Sequence, residues 1–173
     1  STGGFTDVLL RRGASLVIAV DVGYGQLAWE LRQDPRVKIL DRTNIRHLTG
    51  EQVGEDIDLV VADLSFISLS LVLPALAAVS KPDADFVLMV KPQFEVGREK
   101  LGAGGVVRDP ALRRAAVLDV AESAYDVGLG TMGIAASPLP GPAGNVEYFL
   151  WLRRGAPAID EAALDTAIAM GPA

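Results

Sequence analysis

Three charged residues stand where apolar runs begin or end: Asp63 after Leu59-Val60-Val61-Ala62, Lys91 after Phe86-Val87-Leu88-Met89-Val90, and Glu147 just before Tyr148-Phe149-Leu150. The unbroken apolar run before Lys91 reads as a strand buried on both faces, as in a parallel sheet. Pro92 cannot donate to a ladder and biases Lys91 toward an extended backbone. The ammonium is thereby fixed at the carboxyl end of the strand, where open α/β sheets place their ligands. Lys91 is the first candidate for chemistry.

The elements that must position these groups alternate. A glycine turn, Ser1-Thr2-Gly3-Gly4-Phe5, runs into a short helix that Gly13 ends. Residues 16–20 form a strand closed by Asp21, 26–33 a helix stopping at Asp34-Pro35, and 37–40 a strand ending in Asp41-Arg42-Thr43-Asn44. Residues 59–62 are the strand before Asp63. A helix over 68–80 must break or start late at Pro74. After Lys91 comes a long glycine-bearing loop, 92–108, of a length usually tied to function. Asp109-Pro110 then supplies an N-cap and a first-turn proline for a helix reaching Gly128, with Leu112, Ala115, Ala116, Val120 and Ala124 on its apolar face. The strands expected at 134–136 and 148–152 are joined by a link too short for a crossover helix, so they form an antiparallel hairpin. Residues 155–173 read as a linker and a weak, peripheral helix. The fold class is α/β: a doubly wound, mainly parallel sheet with a terminal antiparallel hairpin.

Composition narrows the chemistry. The chain has 173 residues, half of them apolar, no cysteine and a single histidine, His47. That removes thiolate nucleophiles, disulfides and cysteine-based zinc sites, and makes a Ser-His-Asp arrangement improbable. No apolar run reaches the ~18 residues that span a bilayer, which together with the missing cysteines fits a cytoplasmic protein without membrane partners. The net charge of −6 argues against nucleic acid as a bulk number, but arginines and lysines crowd the first third and the stretch after Lys91. Tyr24, Trp29 and Trp151 read as packing residues, and Ser65 and Ser68 as turn and cap residues.

One local pattern points to a different class. The strand 16–20 followed by Gly23-Tyr24-Gly25-Gln26-Leu27-Ala28, a helix, a strand and Asp41 satisfies the G-x-G-x-x-A dinucleotide spacing of an NAD-binding oxidoreductase. Asp21 would put a carboxylate near the pyrophosphate, which is electrostatically unfavourable. The alternative makes Ser1-Thr2-Gly3-Gly4-Phe5 the nucleoside-side turn, Asp21 the acceptor for ribose hydroxyls, and Asp41 to Asn44 the adenine edge.

The assembled stretches Ser1-Thr2-Gly3-Gly4-Phe5-Thr6-Asp7, Ala19-Val20-Asp21-Val22-Gly23-Tyr24-Gly25-Gln26-Leu27, Arg42-Thr43-Asn44, Ala62-Asp63-Leu64-Ser65-Phe66-Ile67-Ser68, Lys91-Pro92-Gln93-Phe94-Glu95 and Gly141-Pro142-Ala143-Gly144-Asn145-Val146-Glu147-Tyr148-Phe149 resemble the TlyA, or hemolysin A-like, ribosomal RNA 2′-O-methyltransferases among the FtsJ-like methyltransferases. The resemblance implies methyl transfer from S-adenosylmethionine to a ribose 2′-hydroxyl, that of a cytidine, in ribosomal RNA or ribosomal subunits. It implies a methyltransferase domain over 1–154 with its first strand, one catalytic lysine and an N-terminal S4-like RNA-binding domain lying upstream, so that this chain alone is expected to be impaired. Asp63, Lys91 and Glu147 match the catalytic set. Ser1, Gly3, Gly4, Phe5, Asp21, Asp41, Thr43, Asn44 and Asp63 fall at the cofactor positions, and no metal is implied. The hemolysin name also raises a membrane-active or interaction protein, for which the sequence offers no cationic amphipathic helix.

A ribose hydroxyl is a poor nucleophile, so a site of this kind must share its proton while holding it in line with the methyl group. Lys91 is expected to touch that hydroxyl, with Asp63 and Glu147 as its orienters. Arg98, Lys100 and Arg108 on the long loop are expected to contact phosphates.

Overall fold

The computed structural model describes residues 1–141 and 143–172, with the backbone but not the side chain of Arg98. The chain divides into two units, residues 1–55 and residues 56 onward.

The first unit runs α1 (Gly4–Arg11), β1 (Val17–Val20), α2 (Trp29–Gln33), β2 (Val37–Leu40), a 3-10 turn (Ile45–His47) and α3 (Gly50–Val53). β1 and β2 pair in parallel from Val17 opposite Val37 to Val20 opposite Leu40. Gly3 caps α1 in the left-handed region, with φ 99°. A Cβ there would meet the Leu27 and Leu31 side chains at 2.4 and 2.6 Å, so both backbone and packing demand glycine. The helix expected from residue 26 starts only at Trp29. Asp21 and Asp41 explain the delay: their carboxylates accept the Gly23 and Gly25 amides at 2.7 and 3.1 Å, which holds this stretch as a turn.

The second unit contains β3 (Ile57–Ala62), a 3-10 turn (Leu69–Leu71), α4 (Leu73–Ala78), β4 (Ser80–Val90), α5 (Pro92–Glu95), 3-10 turns Arg98–Lys100 and Ala103–Gly105, α6 (Pro110–Asp126), β5 (Leu129–Ala136), β6 (Tyr148–Arg154) and α7 (Glu161–Ala169). Its sheet has the order β3-β4-β6-β5. β3 and β4 are parallel, while β6 is antiparallel to both β4 and β5, the closing hairpin that the short link demands. Pro74 is accommodated by the late start: it lies in the first turn of α4, where a missing amide breaks no helical bond.

Period-2 alternation decides which face of this sheet is dry. Phe86, Leu88 and Val90 pair with Leu152, Leu150 and Tyr148, and all six are fully buried. α6 packs across β4, β5 and β6, with Val117, Val120 and Ala124 fully buried. Its buried stripe includes Ala116 and Ala121, whereas Ala115, expected to be apolar-facing, is exposed. Arg113 lies along the packed side, where burial raises the pKa of the Tyr148 hydroxyl and the arginine's charge opposes that shift.

β5 is longer than its sequence suggests, because two glycines mask it. At Gly130 a Cβ would overlap the Ala156 carbonyl oxygen at 1.8 Å, and the Thr131 amide donates to Pro157 O at 2.7 Å. The chain leaving β6 therefore covers the β5 edge, which would otherwise offer unpaired ladder groups. α7, expected to be peripheral, buries Leu164 completely. Arg114 of α6 bonds Glu161 and Asp165 of α7 at 2.6 Å each.

Leu150 lies between Leu88 and Ile134 in the ladder. Leu150→Ala is expected to cost about 2–5 kcal/mol, measured as a lower midpoint of denaturant unfolding with an unchanged slope.

Candidate active site

The Asp63 and Lys91 side chains meet because the strands carrying them are parallel neighbours. Ala62, the last residue of β3, pairs with Leu88 of β4, so both chains leave the sheet at the same end. Lys91 is extended (φ −112°, ψ 99°) and Pro92 opens α5 behind it, as the Lys-Pro pair predicts. The Lys91 Nζ is 2.6 Å from Asp63 Oδ1 and donates to Ser65 Oγ at 3.3 Å. The lysine side chain is only 12% exposed and Asp63 is 42% exposed, so the pair is open on the carboxylate side. An ammonium has three donors. Two are engaged, which leaves one for another oxygen.

Glu147 is engaged differently. Its side chain is buried, with the residue 6% exposed, and its Oε1 accepts from Gln93 Nε2 at 3.0 Å. Asp63 is thus the direct partner of Lys91, and Glu147 is held by the residue two positions further along the same chain segment.

The same segment reaches a third place. Phe94 packs on Phe66 with ring centroids 5.0 Å apart and planes tilted by 50°. Phe66 is 91% exposed and its φ is +64°, a backbone state that costs about 1–3 kcal/mol for a side chain of this kind. Glu95 accepts from Ser68 Oγ at 2.6 Å and from the Leu69 amide at 2.9 Å. Ser68 in turn caps the 3-10 turn after it, the cap role its sequence suggests. Burial pushes the Glu95 carboxyl above its ordinary value, the two hydrogen bonds oppose that shift, and Asp119 adds to it. Gln93, Phe66, Phe94 and Glu95 were not legible as site residues. The one signal for Phe66 is an aromatic inside a polar turn directly after Asp63.

On the long loop, Lys100 and Arg108 are exposed, and the Arg98 side chain lies outside the described residues. Asn145 pins the loop: it is 3% exposed, its Oδ1 accepts the Val107 amide at 2.9 Å and its Nδ2 donates to Gly105 O at 3.1 Å.

In the first unit, Asp21 follows β1. Its carboxylate accepts the Gly23 amide at 2.7 Å. Asp41 is held low chiefly by the Gly25 amide and further by Arg32, 3.2 Å away. Asn44 Oδ1 caps the turn that follows by accepting the Arg46 amide, and the Thr43 hydroxyl bonds Asp41 O. Gly4 opens α1, and Phe5 is partly exposed beside it. Tyr24 and Trp29 are 66% and 70% exposed rather than packed, and Arg42 lies over the Tyr24 ring at 4.4 Å. A strand-end carboxylate held by one backbone amide can accept further hydrogen bonds from hydroxyl groups. The Gly23 and Gly25 amides are already consumed by Asp21 and Asp41, so the dinucleotide reading lacks the free amides a pyrophosphate requires.

Parallel strands with charged residues at their carboxyl ends, closed by an antiparallel hairpin, define the fold of Rossmann-like methyltransferases, whose methyl donor is S-adenosylmethionine. The N-methyltransferase NodS from Bradyrhizobium japonicum, solved with S-adenosylhomocysteine, shares this fold at 15% identity and TM-score 0.61, covering 89% of this chain and 74% of that one. The chain belongs to the FtsJ-like methyltransferase family, whose profile matches residues 1–154. It is 65% identical over 153 residues to the 16S/23S rRNA (cytidine-2′-O)-methyltransferase TlyA of Mycobacterium tuberculosis, which covers 88% of this chain and 57% of that protein. The crystal structure of a candidate hemolysin from Lactococcus lactis is 38% identical with TM-score 0.93, covering 98% and 82%. The chain thus spans little more than half the length of the curated relatives it matches.

A carboxyl whose folded-state pKa is raised binds its proton more tightly in the folded protein. Glu95 therefore contributes stability that is complete below the ordinary glutamate range, about 4.3, and is lost as pH rises through its raised value. Glu95→Gln keeps an acceptor for the Leu69 amide and removes the charge. The unfolding midpoint of the variant, followed from pH 4 upward, is expected to lack that component of decline.

Proposed function

We propose that residues 1–154 act as a methyltransferase domain that transfers a methyl group from S-adenosylmethionine to a ribose 2′-hydroxyl of ribosomal RNA, that of a cytidine. The observation that carries this reading is the Lys91–Asp63 pair, 2.6 Å apart at adjacent strand ends, with one lysine donor left over. The names of relatives such as TlyA of Mycobacterium tuberculosis supply the substrate class.

Bound S-adenosylmethionine supplies a methyl group activated by a sulfonium centre. Asp21, Asp41, Thr43 and Asn44 of the first unit, with the glycine turn Ser1 to Phe5, are the residues that would hold its nucleoside. In the second unit Lys91 donates its remaining N–H to the ribose oxygen and holds it at one distance and angle, the positioning that makes a weak nucleophile competent. Asp63 and Ser65 aim that ammonium. The hydroxyl proton would pass to the Asp63 carboxylate, since the Lys91 ammonium has no lone pair to take it, and the ammonium would offset charge that builds on the oxygen.

The surroundings suit a nucleotide. Phe66, exposed and backed by Phe94, offers a ring on which a base can stack, a contact worth about 1–3 kcal/mol. Lys100 and Arg108 offer cations for phosphates. An activity on ribosomal RNA would be a cytoplasmic one. Among the described residues no helix is long and apolar enough to cross a membrane. α7 braces α6, through Glu161 and Asp165 on Arg114.

The test is single-turnover methylation of ribosomal RNA by the protein at its full natural length, with 2′-O-methyl sites mapped on the product. Lys91→Ala is expected to slow the step by about 10²–10⁴-fold while the affinity for S-adenosylmethionine stays within about twofold. Near-normal methylation by Lys91→Ala would remove the proposed role. Phe66→Ala is expected to raise the RNA concentration needed for half-maximal rate by about tenfold, the size of one lost stacking contact, with donor affinity unchanged.

A further inference from the structure

We infer that Gln93 is a positioning residue: its side-chain amide sets the carboxylate of Glu147, the third member of the expected catalytic set, so that the Lys91–Glu95 segment carries both the lysine and the device that aims the second carboxylate. The inference deepens the methyltransferase reading and rests on it.

Glu147 is 6% exposed, and a buried carboxylate requires donors. The donor the structure provides is Gln93 Nε2, 3.0 Å from Glu147 Oε1. The amide orientation follows from chemistry, since turning the amide over would place its oxygen against a carboxylate oxygen. The opposite end of the same amide argues that the donor is the reason for the glutamine. Gln93 Oε1 is buried and has no hydrogen-bond partner among the described residues. Packing alone would be served better by an apolar side chain, because an unpaired buried acceptor is a cost. A glutamine that leaves one end unsatisfied is accounted for by what its other end does.

A second contact limits the same oxygen from another direction. A Cβ on Gly141 would lie 2.7 Å from Glu147 Oε1, too close for the carboxylate to stay where it is. Gly141 is also tied to the following turn, its amide donating to Asn145 O at 2.8 Å, so the backbone is not free to yield. Glu147 Oε1 thus fits between a donor and a glycine surface. Gln93 itself has little freedom, because Pro92 opens α5 directly after Lys91 and the backbone between Lys91 and Gln93 is set by that helical turn.

The experiment compares Gln93→Ala, Gly141→Ala, Glu147→Ala and the double variant Gln93→Ala/Glu147→Ala in the protein at its full natural length. Single-turnover methylation at saturating RNA and S-adenosylmethionine, donor affinity by calorimetry and melting temperature are measured for each. Gln93→Ala and Gly141→Ala are both expected to lower the methylation rate by about 10–100-fold, the cost of a reactive group misplaced by about 1 Å. Donor affinity should stay near wild type, while the melting temperature falls by no more than the few degrees that one unmet buried acceptor costs. In the Glu147→Ala background, Gln93→Ala should change the rate by less than about twofold, since the group it positions is gone. Effects of Gln93→Ala and Glu147→Ala that multiply would overturn the inference, as would parallel losses of melting temperature and donor affinity in Gln93→Ala.

The two claims separate in the wild type and by a readout that needs no turnover. If wild-type protein leaves ribosomal RNA unmethylated, the functional reading fails. The positioning claim is then decided by ¹³C NMR of the Glu147 side-chain carboxyl, assigned by its disappearance in Glu147→Gln. That resonance is expected to move in both Gln93→Ala and Gly141→Ala. A resonance unmoved in Gln93→Ala would show that the amide does not set the carboxylate.

Discussion

Everything at the candidate site depends on how rigidly one strand ends. β4 runs eleven residues between a parallel and an antiparallel neighbour, and Phe86, Leu88 and Val90 anchor it with no exposed surface. Pro92 then removes the backbone freedom that would normally follow a strand. The next residues can therefore be specific about what they touch. Lys91 takes Asp63 and Ser65, Gln93 takes Glu147, Phe94 takes Phe66, and Glu95 takes Ser68 and the Leu69 amide. A segment of five residues joins the loop after β3 to the loop before β6 and gives each loop's carboxylate a donor.

The magnitudes favour this arrangement over an ion-pair explanation. The Lys91–Asp63 bridge is partly open to water, and such pairs contribute little, about 0–1 kcal/mol. It cannot be what holds the two loops together. The burial of the six paired ladder residues is the larger effect, at about 1.5–3 kcal/mol per large apolar side chain, and it positions the charges at no cost to their reactivity. Phe66 shows the surplus being used, since a strained, solvent-facing aromatic persists only where its neighbours over-determine the turn. The tilted contact with Phe94 and the Glu95 cap on the following turn do that.

The sequence made the framework legible because its rules are local. An apolar run ending in Lys-Pro, a carboxylate after an apolar run, an Asp-Pro start for α6 and a short link before the final strand each carry one physical meaning, and each appears as a single structural feature. What stayed hidden is relational. Nothing in Gln93 says that its amide will meet Glu147, because that contact depends on the antiparallel register of β4 and β6. β5 was seen only in its last three residues because Gly130 and Gly133 read as breakers, and the reason Gly130 is there, the Ala156 carbonyl 1.8 Å from its missing Cβ, is a tertiary one. The buried stripe of α6 is rotated from the one a hydrophobic count gives: Ala115 is exposed and Val117 and Ala121 are buried.

The first unit shows how a spacing pattern and a chemical function part company. Gly23 and Gly25 satisfy a dinucleotide spacing, yet their amides point at Asp21 and Asp41 rather than at an open anion site. A pyrophosphate needs unsatisfied N–H groups and a helix that starts beside them. Here the helix waits until Trp29, and the two carboxylates would repel what the pattern was supposed to attract. The same two carboxylates are well suited to accept hydrogen bonds from hydroxyl groups, because each already has a backbone amide holding one of its oxygens in place. Residue spacing fixed where the glycines lie, but the sign of the charge beside them decides which half of a nucleoside they can serve.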